Sequence, residues 1–177
     1  MGKSNNKYDW LGSGIYFWEN SYERAYNWAL EQSKRDNAKI KNPAVIGAVI
    51  DLGHCLNLTD YGSKKVLKKG YEMLKMKLSI LGKQMPENRN VGKNTDLLLR
   101  DLDCAVIQEI HSIQKFLNQT EDEPLYDSVR GVFIEGGEVY PNSGFREKTH
   151  IQICVVNPNC IKGYFKPREI DKNYIIP

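Results

Sequence analysis

The sequence predicts an α+β domain, and three observations carry that reading. Apolar residues recur at three- and four-residue spacing in two long segments, near 61–82 and 96–117, which is the stripe of an amphipathic helix. Short runs rich in β-branched and aromatic residues sit at both ends of the chain, as strands do. The order strand, helix, strand, two helices, then strands lacks the regular alternation of a doubly wound sheet. With 177 residues the chain is long enough for one domain with a sizeable core.

The elements follow in order. "LGSGIYFW", 11–18, reads as a strand entered through a glycine turn. Asn20 or Ser21 can then cap a helix, and Glu23 stands three positions after Asn20 at capping-box spacing. That helix, "SYERAYNWALEQSKRD", places Tyr22, Ala25, Tyr26 and Ala29 on one buried face. "AVIGAVIDL", Ala44 to Leu52, is a nearly continuous apolar run, expected as a strand buried on both faces. The next helix carries Leu67, Tyr71, Leu74, Leu78 and Leu81 on its stripe, and Lys64, Lys65, Lys68, Lys69 and Lys75 elsewhere. "GKQMPENRNVGKNT" is a loop by its Pro, Gly and Asn content. The second long helix aligns Leu99, Leu102, Val106, Ile110 and Ile113, and an acidic loop, "NQTEDEP", ends it. "SVRGVFIEGG" and "VYPNSGF" read as strand, turn and strand remnant. "KTHIQICVV" is a strand, and "NPNCIKGYFKPRE" a turn into an edge strand stopped by Pro167.

Composition excludes several classes of function. A net charge of +3 is too small to argue for nucleic acid. The lysine-bearing helix face, Lys64 to Lys75, reads first as a solvated surface and second as a weak polyanion contact. No apolar run spans a bilayer, and "MGKSNNKYDW" has no apolar core of a secretory signal, so no membrane partner and a cytoplasmic location are expected. Cys55, Cys104, Cys154 and Cys160 form no C-x-x-C pair, and His54, His111 and His150 do not stand at zinc-ligand spacing, so no metal is expected.

"GSGIYF", Gly12 to Phe17, followed by a capped helix with alanines and aromatics, resembles the nicotinamide-pocket segment of the ADP-ribosyltransferase fold. The resemblance is to its diphtheria-toxin-like, poly(ADP-ribose) polymerase branch. It extends to "VIGAVIDLGHCLNLTD", to "YDSVRGVFIEGGEVYP" and to "THIQICVVNPNCIKGYF", leaving 61–120 as a helical insertion in a single 1–177 domain. It implies a split antiparallel β-sheet core and NAD as substrate. Gly14 would let the backbone approach the carboxamide, and Tyr16 would stack the nicotinamide ring. Tyr26 or Trp28 would close the ring from the other side, because the directly aligned residue is Asn27. Arg24 stands where the family has a serine that bonds the carboxamide.

The family's catalytic strand carries a glutamate, and the aligned residue here is Gln152. By strand alternation His150, Gln152 and Cys154 share a face that can look into a cleft, while Ile151, Ile153 and Val155 face a core. A unit charge about 4 Å from a developing cation contributes roughly 4 kcal/mol at an effective dielectric near 20, so a neutral amide there forfeits about a thousandfold in rate. Glu147, ahead of Glu138 and Glu135, is the nearest substitute by sequence. The family's opening His-Gly strand has no counterpart in "MGKSNNK"; His150, His111 and His54 are the available stand-ins. The resemblance therefore implies a mono-ADP-ribosyltransferase acting on a macromolecular acceptor. Its alternative is an inactive module of the same fold that binds NAD, an ADP-ribose derivative or a protein.

Overall fold

The two longest strands set the frame. In the computed structural model, which describes residues 2–91, 96–168 and 173–175, β6 (Ser128–Phe133) pairs antiparallel with β7 (His150–Val155). On the other edge of β7 lies β1 (Ile15–Trp18), and beyond β6 lies β3 (Cys55–Asn57), parallel to it. The resulting sheet runs β1-β7-β6-β3. A second sheet pairs β2 (Gly47–Ile50) with β8 (Ile161–Phe165), and a third pairs the two-residue strands β4 (Asn88–Arg89) and β5 (Leu99–Arg100). Among the described residues there are three α-helices: α1 (Tyr22–Ser33), α2 (Tyr61–Ile80) and α3 (Asp101–Glu121). The α+β class holds.

Register decides which side chains share a face. Tyr16 stands opposite Cys154 and Trp18 opposite Gln152, while Val129, Gly131 and Phe133 of β6 oppose Cys154, Gln152 and His150. This face meets α2 and α3. Leu56, Leu74, Val106, Ile107, Ile110, Val129, Phe133 and Cys154 form its buried core. The opposite face carries Phe17, Ile153 and Val155, which pack with Cys160 against Ala48, Ile50 and Ile161 of the second sheet. The sheet is therefore covered on both sides, and the face bearing His150 and Cys154 is core at Cys154, not open cleft. The two long helices supply Leu74, Val106, Ile107 and Ile110 to the first of these layers.

Several boundaries move for identifiable reasons. β1 is four residues long because Gly12, at φ +78°, turns the chain before it. At α1 the N-cap is Ser21 with no side-chain cap bond, and Asn20 sits at φ +49°, so the capping box does not form. Asp60 caps α2 properly, accepting from the Ser63 N–H. α3 begins at Asp101 because Leu99 and Arg100 pair with β4 instead. The run Ala44–Leu52 is corrected in kind: only Gly47–Ile50 is strand, and Val49 is 59% exposed. A two-stranded sheet has one covered face, so alternate residues of β2 reach solvent. Of the loop "GKQMPENRNVGKNT", residues 92–95 lie outside the described residues.

Candidate functional site

The stretch after the glycine turn builds one wall of a cleft of about 890 Å³. β1 is an edge strand, so α1, which follows it within three residues, lies along that edge. The segment from Ile40 to Ile50 crosses opposite, and Phe165 and Pro167 close the far side. The cleft thus sits where the two sheets part. Its volume falls in the range of small-molecule sites. The face of α1 expected to be buried fronts this space: Tyr22, Ala25 and Ala29 line it, with Tyr22 half exposed. Trp18 and Trp28 line it too, their rings 5.3 Å apart and tilted 48°.

Charge enters the cleft through one pair. Arg130 of β6 gives two hydrogen bonds to Glu19, at 2.6 and 2.9 Å, and reaches Asn57 and Thr59 with its remaining nitrogen. The forked contact holds the Glu19 carboxyl below its usual range and raises the guanidinium. It ties the turn between β1 and α1 across β7 to β6, fixing the cleft's mouth. Neither residue stands out by motif. The available signal was a charged residue breaking the apolar run "SVRGVF".

Tyr16 is among the residues that line the cleft, and its hydroxyl is turned to the chain itself. Its ring packs with the helix-side core, and its hydroxyl donates to the Gly12 carbonyl at 2.6 Å while accepting from the Leu11 N–H. Burial pushes that phenol far above the ordinary range. Both hydrogen-bonding directions of the hydroxyl serve the glycine turn. Gly14 is likewise committed to packing: a Cβ there would lie 2.4 Å from the Cys154 sulfur and 2.7 Å from the Val155 carbonyl oxygen. Its bare Cα admits β7, not a ligand. Tyr26 stacks on Tyr22 at 6.0 Å, further along the same helix.

Behind Trp18 lies a buried polar cluster. The Nδ1 of His150 is 2.6 Å from the Lys148 carbonyl oxygen, so that nitrogen carries the proton and donates. Nε2 is then an acceptor, and the Gln152 amide nitrogen, 2.8 Å away, donates to it. Burial lowers the His150 pKa, which keeps the ring neutral and the arrangement consistent. The carbonyl oxygen of Gln152 is left for another donor. Trp18 and His150 rings are 6.4 Å apart, and the buried Trp18 Nε1 has no partner.

Arg24 and Glu135 complete the cluster. They pair at 3.3 Å, each side chain almost covered, and the Glu135 carboxylate is 3.8 Å from His150 Nδ1. Arg24 Nε and Nη1 are buried without a partner. The carboxylate that reaches His150 is therefore Glu135. Glu147 is exposed on the hairpin beyond β6, its N–H bonded to the Gly137 carbonyl. Among the stand-in histidines, His54 is exposed and stacks on Tyr126, while His111 is desolvated on α3 with its pKa lowered. Only His150 joins the cluster. The four cysteines are free thiols, three of them buried.

Over 184 aligned residues the chain is 27% identical to "Uncharacterized protein MJ0359" of Methanocaldococcus jannaschii, covering 92% of this chain and 77% of that protein. No protein-family model and no solved structure matches the chain. Among the described residues no helix is long and apolar enough to cross a membrane.

Proposed function

We propose that the chain binds NAD in the cleft between its two sheets and transfers ADP-ribose to a macromolecular acceptor. The observation that supports this most directly is the position of the aromatic cleft. It opens where the two sheets part, directly after "GSGIYF", with Trp18 in register opposite Gln152. The split-sheet ADP-ribosyltransferase architecture is part of the same proposal.

In this reading the nicotinamide ring lies against the indoles of Trp18 and Trp28, and Tyr16, which also lines the cleft, holds the Gly12 turn with its hydroxyl. Flat rings and indoles attract through offset or tilted contacts. Gln152 gives its amide nitrogen to His150 and offers its carbonyl oxygen to a ribose hydroxyl. Glu135 supplies the nearest carboxylate to His150, with Arg24 neutralising it.

A second reading rests on that same chemistry. The amide at 152 carries no charge and the carboxylate at 135 is already paired, so little negative charge faces a developing oxocarbenium ion. The module then holds NAD or an ADP-ribose derivative without turnover. Calorimetry with NAD and with ADP-ribose, and labelled NAD incubated with a cell lysate, test both. Binding plus a labelled acceptor, both lost in Trp18→Ala, supports the transferase. Binding without label supports the module. Absence of binding to both NAD and ADP-ribose removes both readings.

A further inference from the structure

A second concavity, of about 740 Å³, lies between α2 and α3 on the side away from the cleft residues. Its floor is apolar: Val66 and Gly70 from α2, Ile110, Ile113 and Leu117 from α3. Gly70 lets the two helices approach closely beneath it, since a Cβ there would fall 2.4 Å from Ile110. The helices run antiparallel, with Lys77 paired to Glu109 at one end and Val66 beside Leu117 at the other. Met73, 47% exposed, adds apolar surface to the groove, and Phe116, 64% exposed, is a further exposed apolar side chain on α3 next to the lining residue Leu117. Apolar surface of this kind on a soluble domain marks a contact face.

The charges around the groove say what covers it. Lys65, Lys68 and Lys69, with Glu72 as the one acid beside them, form its rim, and none of the three lysines has an ion pair among the described residues. At the same end of the hairpin α3 finishes in Glu121, followed by Asp122 and Glu123, also without ion pairs there. An anionic membrane or an acidic protein would be drawn to the lysines and repelled by the acids beside them. A two-fold contact has the opposite requirement: the patch must complement itself. A basic rim, an apolar floor and an acidic helix end meet that requirement, because rotation about the groove sets each copy's lysines on the other's acids.

We propose that the α2–α3 groove is the face of a homodimer, in which Lys65, Lys68 and Lys69 of one copy meet Glu121, Asp122 and Glu123 of the second. The contact is independent of the NAD cleft.

The test is light scattering and sedimentation equilibrium on the full chain. A dimer is expected, weakened as salt rises from about 50 mM to about 0.5 M. Phe116→Ser, which touches an exposed side chain, should weaken it at least about tenfold. The charge reversals Lys68→Glu/Lys69→Glu and Glu121→Lys/Glu123→Lys should each give folded monomers by circular dichroism. Mixed in equal amounts, those two variants should associate again, because both halves of the contact become complementary. A wild-type chain that stays monomeric, reversals that leave the dimer intact, or a mixture that fails to associate would each overturn the proposal. So would binding of the wild type to phosphatidylglycerol vesicles in place of self-association.

Discussion

Trp18 and Gln152 are Cα partners across the β1–β7 ladder, so the indole and the amide stand on the same face of one sheet. The indole lines the cleft and leans on His150, and the amide donates to that same histidine. Whatever enters the cleft beside Trp18 is therefore one side chain away from the His150–Gln152 pair.

Nicotinamide and NAD should quench the fluorescence of Trp18 and Trp28 and leave Trp10 unaffected. Trp10 stacks on Phe133, lies under the Arg100 guanidinium and donates to the Leu98 carbonyl, and it does not line the cleft. Replacing Trp10 with Phe should preserve the quench, and Trp18→Ala should lose roughly tenfold or more in affinity. Tyr16→Phe should bind NAD as the parent does and cost about 1 kcal/mol of stability, the value of a turn hydrogen bond. Titrations showing Tyr16→Phe binding-dead and Trp18→Ala unaffected would return the ring to the Tyr16 side.

Gln152→Glu places a carboxylate against His150 Nε2. The imidazole then gains a charged acceptor, and its pKa should rise from its lowered position toward or above 6.5, visible in the histidine ring resonances. If the cleft turns over NAD, the added charge should raise nicotinamide release by at least about tenfold, part of the gain being absorbed by the new imidazolium pair. A shifted His150 with no change in release would assign the cleft to binding alone.

Periodic signals carried most of the fold. The stripes of α2 and α3 and the β-branched runs of β6, β7 and β8 stand close to their expected bounds, because each is fixed by which side chains must leave water. What escaped was set by pairing between distant segments. Leu99 and Arg100 look helical until β4 captures them, and Ala44–Leu52 looks central until it pairs only with β8. The site shows the same division. "GSGIYF" located the cleft, but the hydroxyl of Tyr16 is taken up by the glycine turn, and proximity in sequence favoured Glu147 over Glu135, which the chain brings to His150.

The Glu19–Arg130 fork should be a stability element as well as the cleft's hinge. Both side chains are only partly covered, 26% and 18% exposed, so removing one partner should cost about 1–3 kcal/mol, below the range for fully buried pairs. Arg130→Lys should recover only part of that, because an ammonium cannot span both oxygens. A double-mutant cycle with Glu19→Gln and Arg130→Met, read by urea melts, should give a coupling of roughly 1 kcal/mol or more. A coupling near zero would reduce the fork to two independent surface charges.

Stability should fall on mild acidification, and two histidines set the window. Burial lowers the pKa of both His111 and His150 from 6.5, so the folded chain holds them neutral. Below about 6.5 the unfolded chain takes up protons that the folded chain refuses, and stability drops as pH falls until each depressed value is passed. Each histidine contributes at most about 1.4 kcal/mol per pH unit in that range. Glu19, Asp101 and Asp127 act in a separate, lower window: hydrogen bonds from Arg130, Arg89 and Asn157 respectively lower their pKa values. Their stabilising effect is present at neutral pH and lost only as pH falls from near 4 downward. Urea melts between pH 7.5 and 5 should therefore show a loss that His111→Gln reduces by about half and that carboxylate variants leave unchanged. A profile flat through that range would mean that neither imidazole is desolvated in the folded chain.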